Sequence, residues 1–369
     1  KLTVLVEGLI SNPFPDGLTR FSLIVSRHLE KFDIDLVFIF PMDVTFHPHK
    51  GEEKRVWLPA NPLRLRSWFR FLYLQSEFPR LVKKFDHKRP DVILHTGPEA
   101  SLFSSVPQVL VIHDINPLLF PRYNPRLYFY YRYMLPRIFR KVDLVVTVSH
   151  TTERELIAHY EEFLPDVRVV PNGVDHDLFT PGGKMFEPEK ERILYVGALR
   201  PMKGIEILFL AFAHLKGQIS TELWIAGKGE TSYVSLLKKL AKDLGIEKRI
   251  RWLGTPSDEE LAAIMRGSLL FVFPSLYEGF GLPVLEAMAS GVPVIVSDIP
   301  ALKEITGGKA QYFSPGSWLS LARIIEKVLG DDNLRRKMID DGLENSRNYS
   351  WEKTAQMLYQ LLLRYVKAF

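Results

Sequence analysis

The chain has 369 residues, 46% of them apolar, a formal charge of +5 and no cysteine. This length leads to an expectation of two domains, with apolar content enough for two cores. The missing cysteine excludes disulfides, thiolate metal sites and a cysteine nucleophile, and it suits a cytoplasmic protein.

The charge is mildly basic, too small to argue for nucleic acid, yet compatible with an anionic substrate or a membrane surface. No apolar run reaches the eighteen residues of a transmembrane helix. Lys1–Glu7 reads as a strand and is too short for a secretory signal.

The first strand is Leu2–Val6. The loop after it, residues 8–19, holds Asn12-Pro13 and Pro15-Asp16-Gly17, and Phe21, Ile24, Val25 and Leu29 then recur at helical spacing. The three glycines of a dinucleotide fingerprint are absent here. Asp35–Phe40 reads as the second strand. Residues 63–89 are basic and aromatic, with eight Lys/Arg against two acids. Strands follow at Asp91–Leu94 and Val109–Ile112, the latter running into His113-Asp114. A lone histidine is more often structural, but a strand end in an open parallel sheet is where ligands bind.

Residues 118–142 contain no acid; they include Arg122, Arg126, Arg132, Arg137 and Arg140 and eight aromatics between Phe120 and Phe139. Both basic segments, 63–89 and 118–142, allow two readings. In one, aromatics fill the core while cations reach solvent. In the other, the segments touch anionic lipid or a lipid-linked acceptor, as peripheral contact at the inner face of the membrane. Leu144–Ser149 is a buried strand, followed by a helix capped by Ser149 or Thr151. Val167–Val170 closes this half. Thr180-Pro181-Gly182-Gly183 and the charged residues 187–192 read as the linker.

The second half alternates cleanly. Strands are expected at 192–196, 222–226, 250–253, 269–273, 293–296 and 310–313, and helices at 205–215, 232–244, 258–265, 283–290 and 317–329. Alternation of this kind means a parallel, doubly wound sheet. Residues 350–369 form a long amphipathic helix. After the first of these strands, Arg200 and Lys203 stand at a helix N-terminus, where two cations and backbone amides can hold a diphosphate. Gly227 and Gly229 follow the next strand and let backbone approach a nucleotide. Leu253-Gly254-Thr255 and Ser297-Asp298 end later strands. Between the strand 269–273 and the helix after it lies Pro274-Ser275-Leu276-Tyr277-Glu278-Gly279-Phe280-Gly281-Leu282-Pro283-Val284-Leu285-Glu286. Gly279 and Gly281 can present bare amides, and Glu286 is expected in the first helical turn. Two carboxylates beside amide donors can grip a sugar and a ribose through their hydroxyls.

Glu278 and Glu286, separated by seven residues with Gly279-Phe280-Gly281-Leu282-Pro283 among them, resemble the signature of the large family of retaining glycosyltransferases that includes sucrose synthases and bacterial mannosyltransferases. Pro171-Asn172-Gly173-Val174-Asp175 is similar to a second hallmark of that family. The resemblance implies the α/β fold called GT-B, two Rossmann-like domains facing across a cleft. Here it suggests a first domain over 1–180, with 350–369 packed back on it, and a nucleotide-sugar domain over 181–349. It implies that Glu286 takes the ribose, that Lys203 and Arg200 take the diphosphate, and that Thr255 lies beside the base. It also implies that Gly279, Phe280, Gly281 and Glu278 face the sugar, together with His113 and Gly17 of the first domain. Asp114 would orient His113 or meet the acceptor. Two departures stand out: a single Gly17 where a glycine pair is usual, and Ala198 where an arginine is usual, with Arg200 two residues further on.

The expected function is therefore a retaining hexosyltransferase that needs no metal or other cofactor. Its partners would be a nucleotide sugar, GDP-mannose ahead of UDP-hexoses, and a glycan or lipid-linked acceptor, with no nucleic acid. Asp33-Ile34-Asp35 and Asp175-His176-Asp177 look like a metal motif, but the first precedes a strand and the second lies in the linker. The alternatives are a sugar-nucleotide epimerase of the same fold, which would need added general bases, and a non-catalytic sugar-binding protein.

Overall fold

The computed structural model describes residues 1–9, 17–44, 51–56, 63–83, 89–186 and 191–366. The loop residues 10–16 and the basic stretch 84–88 lie outside the described residues. The chain divides into two compact units, Lys1–Gly173 with Trp351–Phe369, and Val174–Ser350. The change-over thus falls before the Thr180 expected from composition. Val174 bridges Ser350 in parallel fashion, and a ring nitrogen of His176 bonds the Tyr349 carbonyl at 2.9 Å, so the two ends of the second unit meet and it begins before its Pro/Gly stretch.

The first unit holds a parallel sheet ordered β3-β2-β1-β4-β5-β6-β7, made of β1 (Thr3–Glu7), β2 (Asp35–Pro41), β3 (Glu52–Val56), β4 (Val92–His95), β5 (Gln108–Ile112), β6 (Leu144–Thr147) and β7 (Asp166–Val169). β1 and β5 are buried at every position, as expected for apolar strands covered on both faces. On one face, Leu5, Ile39 and Ile93 pack under Leu74, Phe78 and Val82 of α2 (Leu63–Gln75) and α3 (Glu77–Lys83). Phe21 of α1 (Gly17–Leu29) meets Trp351 at 6.1 Å, and Phe32 stacks on Tyr359 at 4.5 Å, so the last helix (Trp351–Val366) packs within this unit.

The acid-free segment places only some of its aromatics in the core. It forms the short helices α4 (Asn116–Leu119), α5 (Pro125–Phe129) and α6 (Leu135–Phe139), with a π turn at Tyr130–Met134. Tyr131, Leu135, Ile138 and Phe139 fill a core with Leu110, Ile112 and Leu156, whereas Tyr123, Phe129 and Tyr133 are exposed. β6 ends at Thr147 because Ser149 turns away to cap α7 (His150–Tyr160), accepting the Thr152 N–H.

The second unit repeats the winding with β8 (Arg192–Val196), β9 (Glu222–Ala226), β10 (Ile250–Gly254), β11 (Leu270–Phe273), β12 (Val294–Ser297) and β13 (Gln311–Phe313), ordered β10-β9-β8-β11-β12-β13 and all parallel. Helices α8 (Ile205–His214), α9 (Thr231–Asp243), α10 (Asp258–Arg266), α11 (Leu282–Ala289) and α13 (Trp318–Leu329) stand where alternation requires them. Ser257 and Glu260 form a reciprocal capping box at α10. Two further helices were not expected, α12 (Pro300–Thr306) and α14 (Asp332–Ser346). α14 lacks an apolar stripe. Its buried side is Met338 with the small or polar Gly342, Asn345 and Ser346, and Gly342 and Asn345 lie close to Met288 of α11.

No helix among the described residues is long and apolar enough to cross a membrane.

Candidate active site

In each sheet the winding reverses at one place, between β1 and β4 and between β8 and β11. The crevice outside the strand ends at such a point is where open α/β sheets bind ligands.

In the second unit this point is occupied by the loops after β8 and β11. Arg200 opens a short turn, Pro201–Lys203, and Gly204 at φ +64° closes it and starts α8. A side chain at 204 would be strained, and its Cβ would come within 2.2 Å of the Pro274 carbonyl oxygen. The two loops are stapled together: the Leu276 N–H donates to the Met202 carbonyl at 2.8 Å, and the buried Ser275 hydroxyl donates to the Tyr277 carbonyl at 2.9 Å. Lys203 Nζ then reaches Glu278 Oε1 at 2.5 Å, with the Phe273 ring 5.8 Å away. Both side chains are largely covered, at 18% and 10% exposure. Sequence reading kept these two residues in separate roles; the structure makes them one ion pair at the switch point. Arg200 is exposed beside it.

Behind the pair, Tyr195 donates its hydroxyl to the Ala198 carbonyl at 3.0 Å and pins the loop. Burial, and next the Glu278 charge, push the Tyr195 phenol well above its ordinary pKa, so it remains a donor.

Gly227 and Gly229 are also required by the packing of the loops. A Cβ at 227 would lie 1.9 Å from the Gly197 carbonyl oxygen, and one at 229 would lie 2.2 Å from that of Leu199. The glycines let three strand-end loops touch. The Gly197 N–H donates to Ala226, Leu199 to Lys228, and Gly227 to Gly254. Thr255, exposed, continues from that ladder.

Gly281, at φ +109°, precedes α11. Phe280 is buried against Tyr349, ring centroids 6.1 Å apart, so only its backbone is placed to meet a ligand. Glu286 is the fifth residue of α11 and lies beyond its first turn, which contains no acid, contrary to expectation. At 1% exposure it is a buried carboxylate, well removed from the solvated glutamate of an ordinary loop. Ser297 ends β12, as the sequence suggests. Its hydroxyl is buried at the end of β12 and makes no hydrogen bond among the described residues.

Beside the switch point of the first unit, His113 follows β5, the neighbour of β4, and is half-buried, edge-on to Phe21 at 4.7 Å. Its Nε2 lies 3.0 Å from the Thr96 carbonyl. A carbonyl only accepts, so Nε2 carries the proton and, in a neutral ring, Nδ1 carries the lone pair. Thr96 is itself fixed. Its hydroxyl donates to the Glu7 carbonyl at 3.0 Å and accepts from Ser22 at 2.6 Å. Asp114 accepts the Asn116 N–H at 2.9 Å, a local turn. Gly17 is the first residue of α1, with open space where a Cβ would be. Nothing in the sequence pointed to Thr96 beyond its place one residue after a strand.

Among the described residues no cluster of His, Asp and Glu has the arrangement of a metal site. Asp175 accepts the N–H groups of Asp177 and Leu178 at 3.0 and 3.1 Å, and Asp33 and Asp35 both pair with Lys1 at 3.1 Å.

Comparison with known proteins gives a consistent result. Residues 183–344 match the family described as Glycosyl transferases group 1, and residues 15–178 match Glycosyltransferase Family 4. O-antigen chain mannosyltransferase B of Escherichia coli is 30% identical over 377 residues, covering 94% of this chain and 96% of that protein. D-inositol 3-phosphate glycosyltransferase of Corynebacterium efficiens is 32% identical over 239 residues, 59% of this chain and 56% of the relative, so the match spans about half of that protein. Among solved structures, sucrose-phosphate synthase from Thermosynechococcus elongatus superposes with a TM-score of 0.80 at 21% identity over 100% of both chains. HepE of Anabaena, solved with UDP-glucose, gives 0.75 at 19% identity over 99% of this chain and 100% of that one. The fold is that of the GT-B glycosyltransferases.

Proposed function

The chain belongs to the glycosyl transferases of group 1, and from that premise we propose that it moves a hexose from a nucleotide-diphosphate sugar to a glycan or lipid-linked acceptor. The observation that carries this reading is the Lys203–Glu278 pair at a switch point, beside the start of α8. A cation and a helix N-terminus at one strand end suit a diphosphate. Negative charge gathers on that diphosphate as the sugar–phosphate bond breaks, and Lys203 is placed to stabilise it, with Arg200 reaching from the exposed edge. Two cations in that role make a divalent metal unnecessary.

The buried Glu286 accepts from the ribose hydroxyls. The amides of Gly279, Phe280 and Gly281 meet the sugar, while Gly227, Gly229 and Thr255 wall the nucleotide. His113 is assigned to the sugar hydroxyls. The reaction retains configuration, and the leaving phosphate takes the acceptor proton on the same face of the sugar. A covalent carboxylate intermediate, the usual route to retention, is disfavoured because Lys203 holds Glu278 and lowers its nucleophilicity. GDP-mannose is the favoured donor and UDP-hexoses the next; the 30% identity to a mannosyltransferase over nearly the whole chain supports the former.

The test is a thermal-shift and turnover screen with GDP, UDP, ADP and their sugars in excess EDTA. A ligand bound only by the folded state raises the melting temperature, by a margin that grows with its affinity. GDP-mannose should give the largest shift, and transfer should persist under chelation. Turnover lost in EDTA and restored by magnesium or manganese rejects the metal-independent mechanism. Binding of none of these nucleotides rejects the whole reading.

A further inference from the structure

Away from both switch points, the first unit carries an open cavity of about 270 Å³ lined by Arg132, Tyr133, Pro136, Arg137, Arg140, His159, Tyr160 and Phe163. All three arginines are exposed, and none forms an ion pair with a described carboxylate. Their segment, 118–142, contains no acid at all. Asp143, which follows the segment directly, and Glu161 and Glu162, beside Tyr160, do not line the cavity.

Two of the arginines are nevertheless held in place. Arg140 stacks on the Phe163 ring at 4.7 Å, and Arg137 Nη1 donates to the Tyr133 carbonyl. His159 Nδ1 donates to the Glu155 carbonyl at 2.8 Å. Tyr160, at the cavity floor, donates to the Tyr131 carbonyl at 2.8 Å. Uncompensated guanidinium groups converging on one concavity are suited to phosphate oxygens, which accept their forked N–H donors.

The rim continues as an apolar surface. Tyr133 stacks on Phe129 at 6.0 Å, one helical turn earlier, and both are more than half exposed. Aromatic side chains beside clustered arginines partition to the boundary between lipid headgroups and acyl chains.

We propose that this cavity binds the phosphate of an anionic phospholipid headgroup, with Phe129 and Tyr133 entering the adjoining bilayer surface. This goes beyond the transferase reading and stands without it. The occupant is a bilayer and not a free anion, because the aromatic rim has no use for a soluble phosphate.

The test is co-sedimentation of the whole chain with vesicles of phosphatidylcholine alone and of phosphatidylcholine mixed with phosphatidylglycerol. Binding is expected only to the mixed vesicles and should weaken with salt. Each cation near such a surface contributes about fivefold, so the triple variant Arg132→Gln, Arg137→Gln, Arg140→Gln should bind about a hundredfold more weakly. Phe129→Ser with Tyr133→Ser should also lower binding but leave the salt dependence in place, which guards against a triple variant that folds poorly. No binding to mixed vesicles, or equal binding by the triple variant, overturns the proposal. So does protection from thermal unfolding by inorganic phosphate without vesicle binding, which would make the ligand a free anion. Displacement from vesicles by RNA at equal charge would likewise overturn it, in favour of a nucleic-acid surface.

Discussion

At the C-terminal ends of β1 and β4 the first unit is held together by side chains. His95 is fully buried, with Nδ1 2.8 Å from Glu7 Oε2 and Nε2 3.0 Å from Gln108 Oε1, an oxygen that also accepts the Ser101 N–H. Glu7 takes the Leu9 N–H as well, and Arg70 makes a buried two-pronged pair with Glu99. At the equivalent ends of β8 and β11 the second unit is held by backbone: glycines, carbonyls and amides in contact, with a single charged pair, Lys203 and Glu278, placed on top. The difference separates two kinds of fragility. The first edge is vulnerable to loss of a hydrogen-bond partner, because a buried polar group left alone costs about 1–3 kcal/mol. The second is vulnerable to added atoms, because a Cβ has nowhere to go.

The comparison breaks most sharply at Lys203. Lys203→Gln removes the cation of the ion pair at the second edge. Transfer should fall by about a hundredfold to a thousandfold, the scale of one lost donor to a developing negative charge. Nucleoside diphosphate affinity, read by calorimetry, should fall with it. Transfer within threefold of the parent protein would remove Lys203 from the chemistry.

A smaller effect is expected at the other edge. His113→Ala should lower transfer by about tenfold to a hundredfold, as loss of one or two sugar contacts does. It should leave nucleoside diphosphate affinity unchanged, because the diphosphate is assigned to the second unit. If His113→Ala abolishes nucleoside diphosphate binding in a folded protein, the division of labour between the edges is wrong.

The smallest effect concerns stability in the first unit. Burial opposes ionisation of Glu352, but its own backbone N–H, His28 and Lys31 hold its carboxyl down to about 2, below the usual 4.5. A depressed carboxyl stabilises the fold at pH above its unfolded value and ceases to as pH falls towards 2. Glu352→Gln should therefore lower the melting temperature slightly at pH 7, with the gap closing between pH 4.5 and 2. The carboxylate is 62% exposed, so solvent screening keeps the effect below about 1 kcal/mol. A gap that does not change with pH would show that packing, not charge, is responsible.

Much of this molecule is legible along the chain. Strands such as Leu270–Phe273 are short apolar runs between turn residues, and they form whatever lies beside them, because only a sheet can bury both faces. The alternation of strand and helix settles the parallel winding, and the winding settles where the ligand crevice must open. The motif from Glu278 to Glu286 is likewise local, and its spacing was enough to point to the family.

Other features depend on residues far apart in sequence. α14 has no apolar stripe, and it is helical because Gly342 and Asn345 fit closely against α11. Gly227 reads only as a ligand glycine in the sequence, and its contact with Gly197 appears only in the fold. Glu286 reads as a first-turn residue until the helix is found to start at Leu282. Lys203 and Glu278 are 75 positions apart, and each alone is a solvated loop charge. Only the adjacency of β8 and β11, a consequence of strand order, brings them within a hydrogen bond. Sequence thus determined which elements form and in what order they wind. Tertiary structure decided which charges meet and which glycines bear contact, because those depend on distances through space that no local spacing encodes.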